Sequence, residues 1–230
     1  MIEKLKEEVK VIMGDVNKGH GFDHVDRVYN IALALADKEK ADKEIVSLAA
    51  LLHDCDDYKM FGEEVAGNLT NSRNIMNKLG VAEEKQELVL DIIKNMGYSK
   101  SIQGIRPKTL EGHIVSDADM MESIGMVGSV RTLVFTILKK GEDRVFNSEI
   151  FPKINLSLEE YKQKERREDN FINHHFDKLL KLKNLMLTKS GKKEALKRHD
   201  SMVFFLREFF REQGLQNWLD FLENYEKNNK

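Results

Sequence analysis

Apolar side chains recur at helical spacing along most of the chain. Ile2, Leu5, Val9 and Ile12 form one stripe and predict a helix over 2–13, interrupted by the segment from Gly14 to Gly21. Asp23 reads as the N-cap of a second run, 24–37, whose inward face carries His24, Val28, Ile31 and Leu35. Asp42 caps a third, in which Ile45, Leu48, Ala49 and Leu52 form the stripe and His53 extends it. A polar loop at 56–62 precedes helices at 63–79 and 82–96, divided by Gly80; a turn-rich stretch, 97–107, ends on Pro107. Helices over 109–124 and 126–140 follow. Residues 141–157 are charged, hold Phe146, Phe151 and Pro152, and show no period, so they read as a loop suited to a mobile lid or insertion. A long helix is predicted over 158–187, stopped at Ser190-Gly191, with two more over 192–213 and 215–226 around Gly214. No strand-type alternation of useful length occurs. The fold class is all-α, and nothing forces a domain boundary within 1–230.

Composition agrees with that pattern and narrows the class. Only Pro107 and Pro152 break the chain, and 230 residues suffice to bury about 70% of the unfolded surface without disulfides. The lone cysteine, Cys55, excludes an intramolecular disulfide framework and fits a reducing, cytoplasmic setting. MIEKLKEEVK lacks the apolar core of a signal peptide, and no apolar run approaches the roughly 20 residues of a bilayer span. Thirty-seven basic residues against 39 acidic ones argue against a nucleic-acid partner.

The chemistry concentrates in three segments. LAALLHDCDDYK places His53 and Asp54 at the end of an apolar helical run, GHGFDHVDRV places His24 on an inward helix face, and EGHIVSDADMMESIG carries Asp117 and Asp119. Inward histidines beside an inward carboxylate are costly unless something satisfies them, and a divalent cation does so. Mixed imidazole and carboxylate ligands suit one ion of Mn²⁺, Mg²⁺, Fe²⁺, Co²⁺ or Ni²⁺, and a single cysteine excludes a thiolate zinc site. Asp117 and Asp119 lie about 200° apart on a helix, so one can meet the ion while the other caps or supports. Asp119 is the preferred ligand of the two.

The order His24, His53-Asp54, Asp119 resembles the HD-domain superfamily of metal-dependent phosphohydrolases. HGFDHVDRV, LLHDCDDYK, TLEGHIVSDADMMESIG, HHFDKLLKLKNLM and GKKEALKRH are similar to the bacterial branch of small HD hydrolases typified by YedJ and YpgQ, over about residues 20–212. The resemblance implies a single HD-type helical bundle, with a metal-site core at about 20–125 and additional C-terminal helices, about 126–230, completing the pocket. It further implies hydrolysis of nucleotides or related small phosphate esters, with nucleoside triphosphate cleaved to monophosphate and pyrophosphate as the branch-level expectation. Where the branch reads DADRLDAIG, this chain has Met120 and Glu122, a departure that motivates the alternative of a catalytically silent nucleotide-binding protein. The run DIIKNMGYS lacks the extra histidines of two-metal members, so one metal is expected.

On that reading Asp57, three residues past Asp54, is the candidate for orienting water or protonating the leaving group. Arg27, beside His24 on its helix, could pair with Asp54 or hold phosphate; Lys59, Arg131 and Lys178 are further candidate phosphate contacts, each with an ordinary surface role as its rival. The family likeness marks His175 as lining the site, whereas His113 and His199 read as structural and Cys55 as a small buried hydrophobe. SGKK lacks the spacing of a P-loop. Apolar C-terminal helices are compatible with a homodimer.

Overall fold

A computed structural model describes residues 1–14, 21–154 and 169–229, apart from the Lys59 side chain. Among these residues there is no strand, and twelve α-helices form: α1 (Ile2–Met13), α2 (Phe22–Glu39), α3 (Lys43–Leu52), α4 (Tyr58–Asn68), α5 (Thr70–Lys78), α6 (Glu83–Asn95), α7 (Tyr98–Ile102), α8 (Leu110–Glu122), α9 (Gly125–Lys140), α10 (Phe171–Asp177), α11 (Lys189–Glu212) and α12 (Gln216–Asn228). They fall into two compact units, Met1–Glu122 with Met186–Gly191, and Ser123–Leu185 with Lys192–Lys230.

The first unit is built around α3, which packs against α1, α2, α6 and α8. Every residue from Val46 to Leu52 is buried, so the helix is covered on all sides rather than along the one stripe expected. Ala49 and Ala50 keep the neighbouring helices close. Asp42 caps it as predicted, accepting from the amides of Glu44 (2.8 Å) and Ile45 (3.3 Å). Helix α2 starts at Phe22 with Gly21 as its cap residue, so Asp23 lies inside the first turn instead of capping it. There its charge still favours the helix dipole.

Two buried carboxylates correct the expected helix boundaries. Asp56 accepts from the amides of Asn71 (2.8 Å) and Ser72 (3.0 Å) and from the Ser72 hydroxyl (2.5 Å). These donors belong to the first turn of α5, so the single helix expected over 63–79 is broken at Leu69 and restarted under Asp56. The loop expected at 56–62 is also shorter than the sequence implies: α4 begins at Tyr58, and Gly62, at φ 84°, bends it.

Asp117 does the same for α11. It accepts from the Leu187 amide (2.8 Å), the Thr188 amide (2.8 Å) and the Thr188 hydroxyl (2.7 Å). Thr188 Oγ1 in turn accepts from the Gly191 amide at 2.9 Å, which makes it the N-cap and starts the helix at Lys189. Ser190-Gly191 therefore opens α11 instead of stopping a preceding helix. A Cβ on Gly191 would collide with Asp117 Oδ2 and Thr188 Oγ1, so only glycine fits that turn.

The second unit has an aromatic core. Trp218 stacks on Phe151 (centroids 4.4 Å), meets Phe146 edge-on (5.1 Å) and donates its indole N–H to the Ser148 carbonyl (2.9 Å). The described part of the expected lid, 141–154, is thus pinned by packing and includes a short 3₁₀ turn, Glu142–Arg144. Part of the helix expected over 158–187 lies outside the described residues. The remainder is not continuous: Asn170 caps α10 by accepting from the Asn173 amide (2.8 Å), and a 3₁₀ segment, Leu179–Leu185, follows, burying Leu179, Leu180 and Leu182. His175 of α10 is wholly buried, with Nε2 3.0 Å from the Ser129 hydroxyl and Nδ1 3.0 Å from the Phe171 carbonyl.

Among the described residues no single helix is long and apolar enough to cross a membrane. Helices α8 and α9 pass that test only as a bent pair, and α8 carries Asp117, Asp119 and Glu122.

Replacing Asp117 by Ala strands three buried donors and should cost about 3 kcal/mol, read as a lowered urea midpoint. A pH effect should come from His175, whose pKa burial drives down to about 4. Between that value and about 6.5, the unfolded chain holds one proton more than the folded chain, so stability is full above the range and lost as pH falls through it. The loss from His175 amounts to about 3 kcal/mol at most. Urea titrations at pH 7, 6 and 5 should show a shallower pH dependence in His175→Gln than in the parent chain.

Candidate metal centre

Three elements of the first unit bring four predicted ligands together. His24 lies in the first turn of α2, His53 caps the C-terminus of α3, and Asp119 sits in the last turns of α8. Asp54 follows in a tight turn, in which the Cys55 amide donates to the Leu52 carbonyl (3.0 Å) and the Asp57 amide to the Asp54 carbonyl (3.2 Å). The α-helix itself ends at Leu52, so it does not carry on to place Asp57 as sequence spacing alone suggested.

The donor atoms converge. His24 Nε2 and His53 Nε2 are 3.2 Å apart. Asp54 turns a different oxygen to each ring, 3.5 Å from His24 and 3.5 Å from His53. Asp119 Oδ1 lies 3.7 Å from His24 Nε2 and 3.9 Å from His53 Nε2. Donors held cis around an octahedral ion with bonds near 2.1 Å stand about 3 Å apart, and the observed spacings suit a slightly open cage of that kind.

The opposite edges of both rings fix their tautomers. His53 Nδ1 is 2.8 Å from the Ala50 carbonyl, which can only accept, so the proton sits on Nδ1. His24 Nδ1 is 3.1 Å from Glu122 Oε2, and Glu122 Oε1 takes a 2.8 Å bond from Arg27 Nε. As neutral rings, both histidines therefore aim an Nε2 lone pair at the same point. Two lone pairs 3.2 Å apart repel unless positive charge lies between them, and a divalent ion satisfies both, with the carboxylates balancing its charge. Burial works against a charged His53, but Asp54 and Asp119, aided by the Ala50 carbonyl and Asp57, outweigh it and raise its pKa above the ordinary value. The pull is that of a site built for a cation. His24, His53 and Asp119 each offer one ligand atom within 4.8 Å of the others, and Asp54 closes on both rings.

Asp117, the alternative fourth ligand, is engaged with Leu187 and Thr188; burial raises its pKa against the pull of those bonds. Arg27 pairs with Glu122 and not with Asp54. Glu122, seen in the sequence as a departure, is 2% exposed and is the outer support of His24. Met120, the other departure, is buried core. A signal for Glu122 did exist: Asp119 and Glu122 are spaced i,i+3 on α8, as His24 and Arg27 are on α2, so two facing helices present matched pairs.

Asp57 is half-buried at the start of α4, close enough to His53 to affect its titration. The Lys59 side chain is outside the described residues. Arg131, His175 and Lys178 belong to the second unit. Both His175 nitrogens are engaged inside that unit. His113 bonds the Pro107 carbonyl (2.9 Å), His199 meets Lys183 Nζ (3.1 Å), and burial pushes the Cys55 thiol far above its usual pKa.

Glu122→Ala removes the acceptor from His24 Nδ1 and from Arg27. Apparent metal affinity, measured by competition with a chromogenic chelator, should fall about 10–100-fold. An unchanged affinity would show that the ring needs no such support.

Residues 21–124 match the family model for the HD domain. The Bacillus subtilis (strain 168) protein YpgQ is 31% identical over 207 residues, an alignment covering 90% of each chain. The crystal structure of an HD-superfamily hydrolase from Bacillus thuringiensis superposes with a TM-score of 0.72 at 32% identity, covering 93% of this chain and 96% of that one. A crystal structure from Lactobacillus plantarum gives 0.76 at 30% identity, over 93% and 96% of the two chains. YpgQ in complex with ADP gives 0.68, over 92% and 97%, with 25% identity along the superposition. On these grounds, and on a donor set in the order His, His-Asp, Asp, the chain belongs to the HD-domain family of hydrolases, in the branch that holds YpgQ.

Proposed function

We propose that the chain is a divalent-metal-dependent phosphohydrolase acting on nucleotides, with cleavage of a nucleoside triphosphate to monophosphate and pyrophosphate as its reaction. The observation that supports this most is the convergence of two Nε2 lone pairs and two carboxylates on one point. The nucleotide class rests on similarity to YpgQ, whose structure holds ADP.

His24, His53, Asp54 and Asp119 would hold the ion. When bound, a divalent ion polarises a phosphoryl oxygen and lowers the pKa of water. Asp119 and Asp54 are partly exposed, which leaves the outer side of the cluster open to substrate. Asp57, near enough to act on His53, is proposed to pass a proton there, as acceptor from water or donor to the leaving oxygen. Arg27 keeps its Nε on Glu122 while its side chain stays 40% exposed, so its terminal nitrogens can meet a phosphate. Lys59, within the same unit, is proposed as a further cationic contact for the remaining phosphate oxygens.

A panel of ribo- and deoxyribonucleotides assayed with Mn²⁺, Mg²⁺, Co²⁺ and Ni²⁺ tests the reading. Pyrophosphate release should vanish on chelation and return with added metal, while His53→Ala should bind no metal and show no turnover. Asp57→Asn should keep its metal and lose about 10²–10⁴ in kcat. Nucleotide binding without turnover across the panel would favour the silent alternative, and full turnover by metal-stripped His53→Ala would end the proposal.

A further inference from the structure

Among the described residues of the first unit, Tyr58 is the one aromatic side chain open to solvent. Phe22, Tyr29, Phe61 and Tyr98 are half-buried, whereas Tyr58 is 58% exposed. Lysines cover two of the others further: Lys10 Nζ lies 4.7 Å from the Phe22 ring centre and Lys6 Nζ 4.5 Å from that of Tyr29. No described side chain of α4, the helix that Tyr58 opens, is buried. Core packing therefore gives no reason for an aromatic ring at this position.

The neighbouring residues supply one. Asp54 and Asp57 are the two ends of a single turn, closed by the Asp57 amide on the Asp54 carbonyl at 3.2 Å. The Asp57 carbonyl in turn accepts from the amides of Met60 and Phe61, both at 3.0 Å, so α4 starts directly against that turn. The ends of such a turn lie within about 7 Å at Cα, and Tyr58 is one Cα step of about 3.8 Å beyond. Long side chains of a helix lean toward its N-terminus. From the first position of α4, that direction leads back to the turn carrying Asp54, whose oxygens face His24 and His53.

We infer that Tyr58 is the platform on which the nucleobase of the substrate stacks while the phosphates meet the cluster, an assignment that rests on the nucleotide reaction proposed above. In a nucleotide the base stands one sugar away from the α-phosphate, where cleavage to monophosphate and pyrophosphate takes place. Tyr58 stands one residue beyond Asp57, which is proposed to pass the proton of that step. A ring reads the π-face that every base has and makes no demand on the base edge. The site accordingly takes all bases, and purines, with their larger faces, more tightly than pyrimidines. Stacking needs the ring and not the phenol oxygen, so phenylalanine can replace Tyr58 and an aliphatic residue cannot.

Isothermal titration with an α,β-methylene nucleoside triphosphate and Mn²⁺ reads the stack without turnover. Tyr58→Leu should weaken binding about 10–100-fold, while Tyr58→Phe should stay within about twofold of the parent. Ribose triphosphate, which has no base, should bind the parent and Tyr58→Leu alike. Far-UV circular dichroism and chelator competition should show the same fold and metal affinity in all three chains. In steady state the loss should appear in KM for nucleoside triphosphates and not in kcat. An equal loss on ribose triphosphate, no loss on the nucleotide, or a parent that binds no nucleotide would overturn the inference. A parent that binds nucleotide through Tyr58 yet hydrolyses none would end the proposed reaction and leave the stack standing. Turnover with a KM indifferent to Tyr58→Leu would do the reverse.

Discussion

Two imidazole rings aimed at one point call for positive charge between them. The Nε2 atoms of His24 and His53 approach to 3.2 Å, each ring held from behind. The Ala50 carbonyl holds one and Glu122 the other, and Arg27 keeps Glu122 in place. Ala50 supports His53 from within α3, whereas Glu122 reaches His24 and Arg27 from α8 across to α2, so the geometry at the centre is only as good as the packing of those three helices. An all-round apolar α3, buried from Val46 to Leu52, makes that packing rigid.

Carboxylates are used twice over in the same way. In Asp54-Cys55-Asp56, the first acid faces the rings and the last anchors the start of α5. In Asp117-Ala118-Asp119 the order is reversed: the first anchors the Leu187–Thr188 turn and the last faces the rings. Residues two apart leave the backbone in nearly opposite directions, so each pair fixes its ring-facing acid by tying down the neighbouring one. The buried anchors satisfy amides that a helix start would otherwise leave without partners.

The second unit is ordered by different means. Phe146, Phe151, Phe176, Phe210 and Trp218 meet at ring distances from 4.4 to 6.4 Å, and a segment without regular structure, 146–154, is held by that cluster. His175 sits in this core as a polar tie between α9 and α10 and stays neutral because burial opposes its charge. The small and hydroxylated inner face of α9 follows from that tie: only a short side chain at position 129 meets the buried ring.

By itself the sequence determined the helical class, most helix positions and the residue types of the candidate metal centre. These are local matters: apolar period, few breakers, Asp42 as a cap, and histidines at the inward ends of apolar stripes. Tertiary structure decided what local pattern cannot carry. Whether Asp117 or Asp119 turned to the two rings depended on Thr188, 71 residues away, and the meaning of Glu122 depended on His24 and Arg27, 98 and 95 residues away. The helices expected over 63–79 and 158–187 failed where distant or non-periodic groups, Asp56 and Asn170, offered backbone amides a better partner than a continued turn. Periodicity reports which face is apolar; only packing decides which polar group waits opposite.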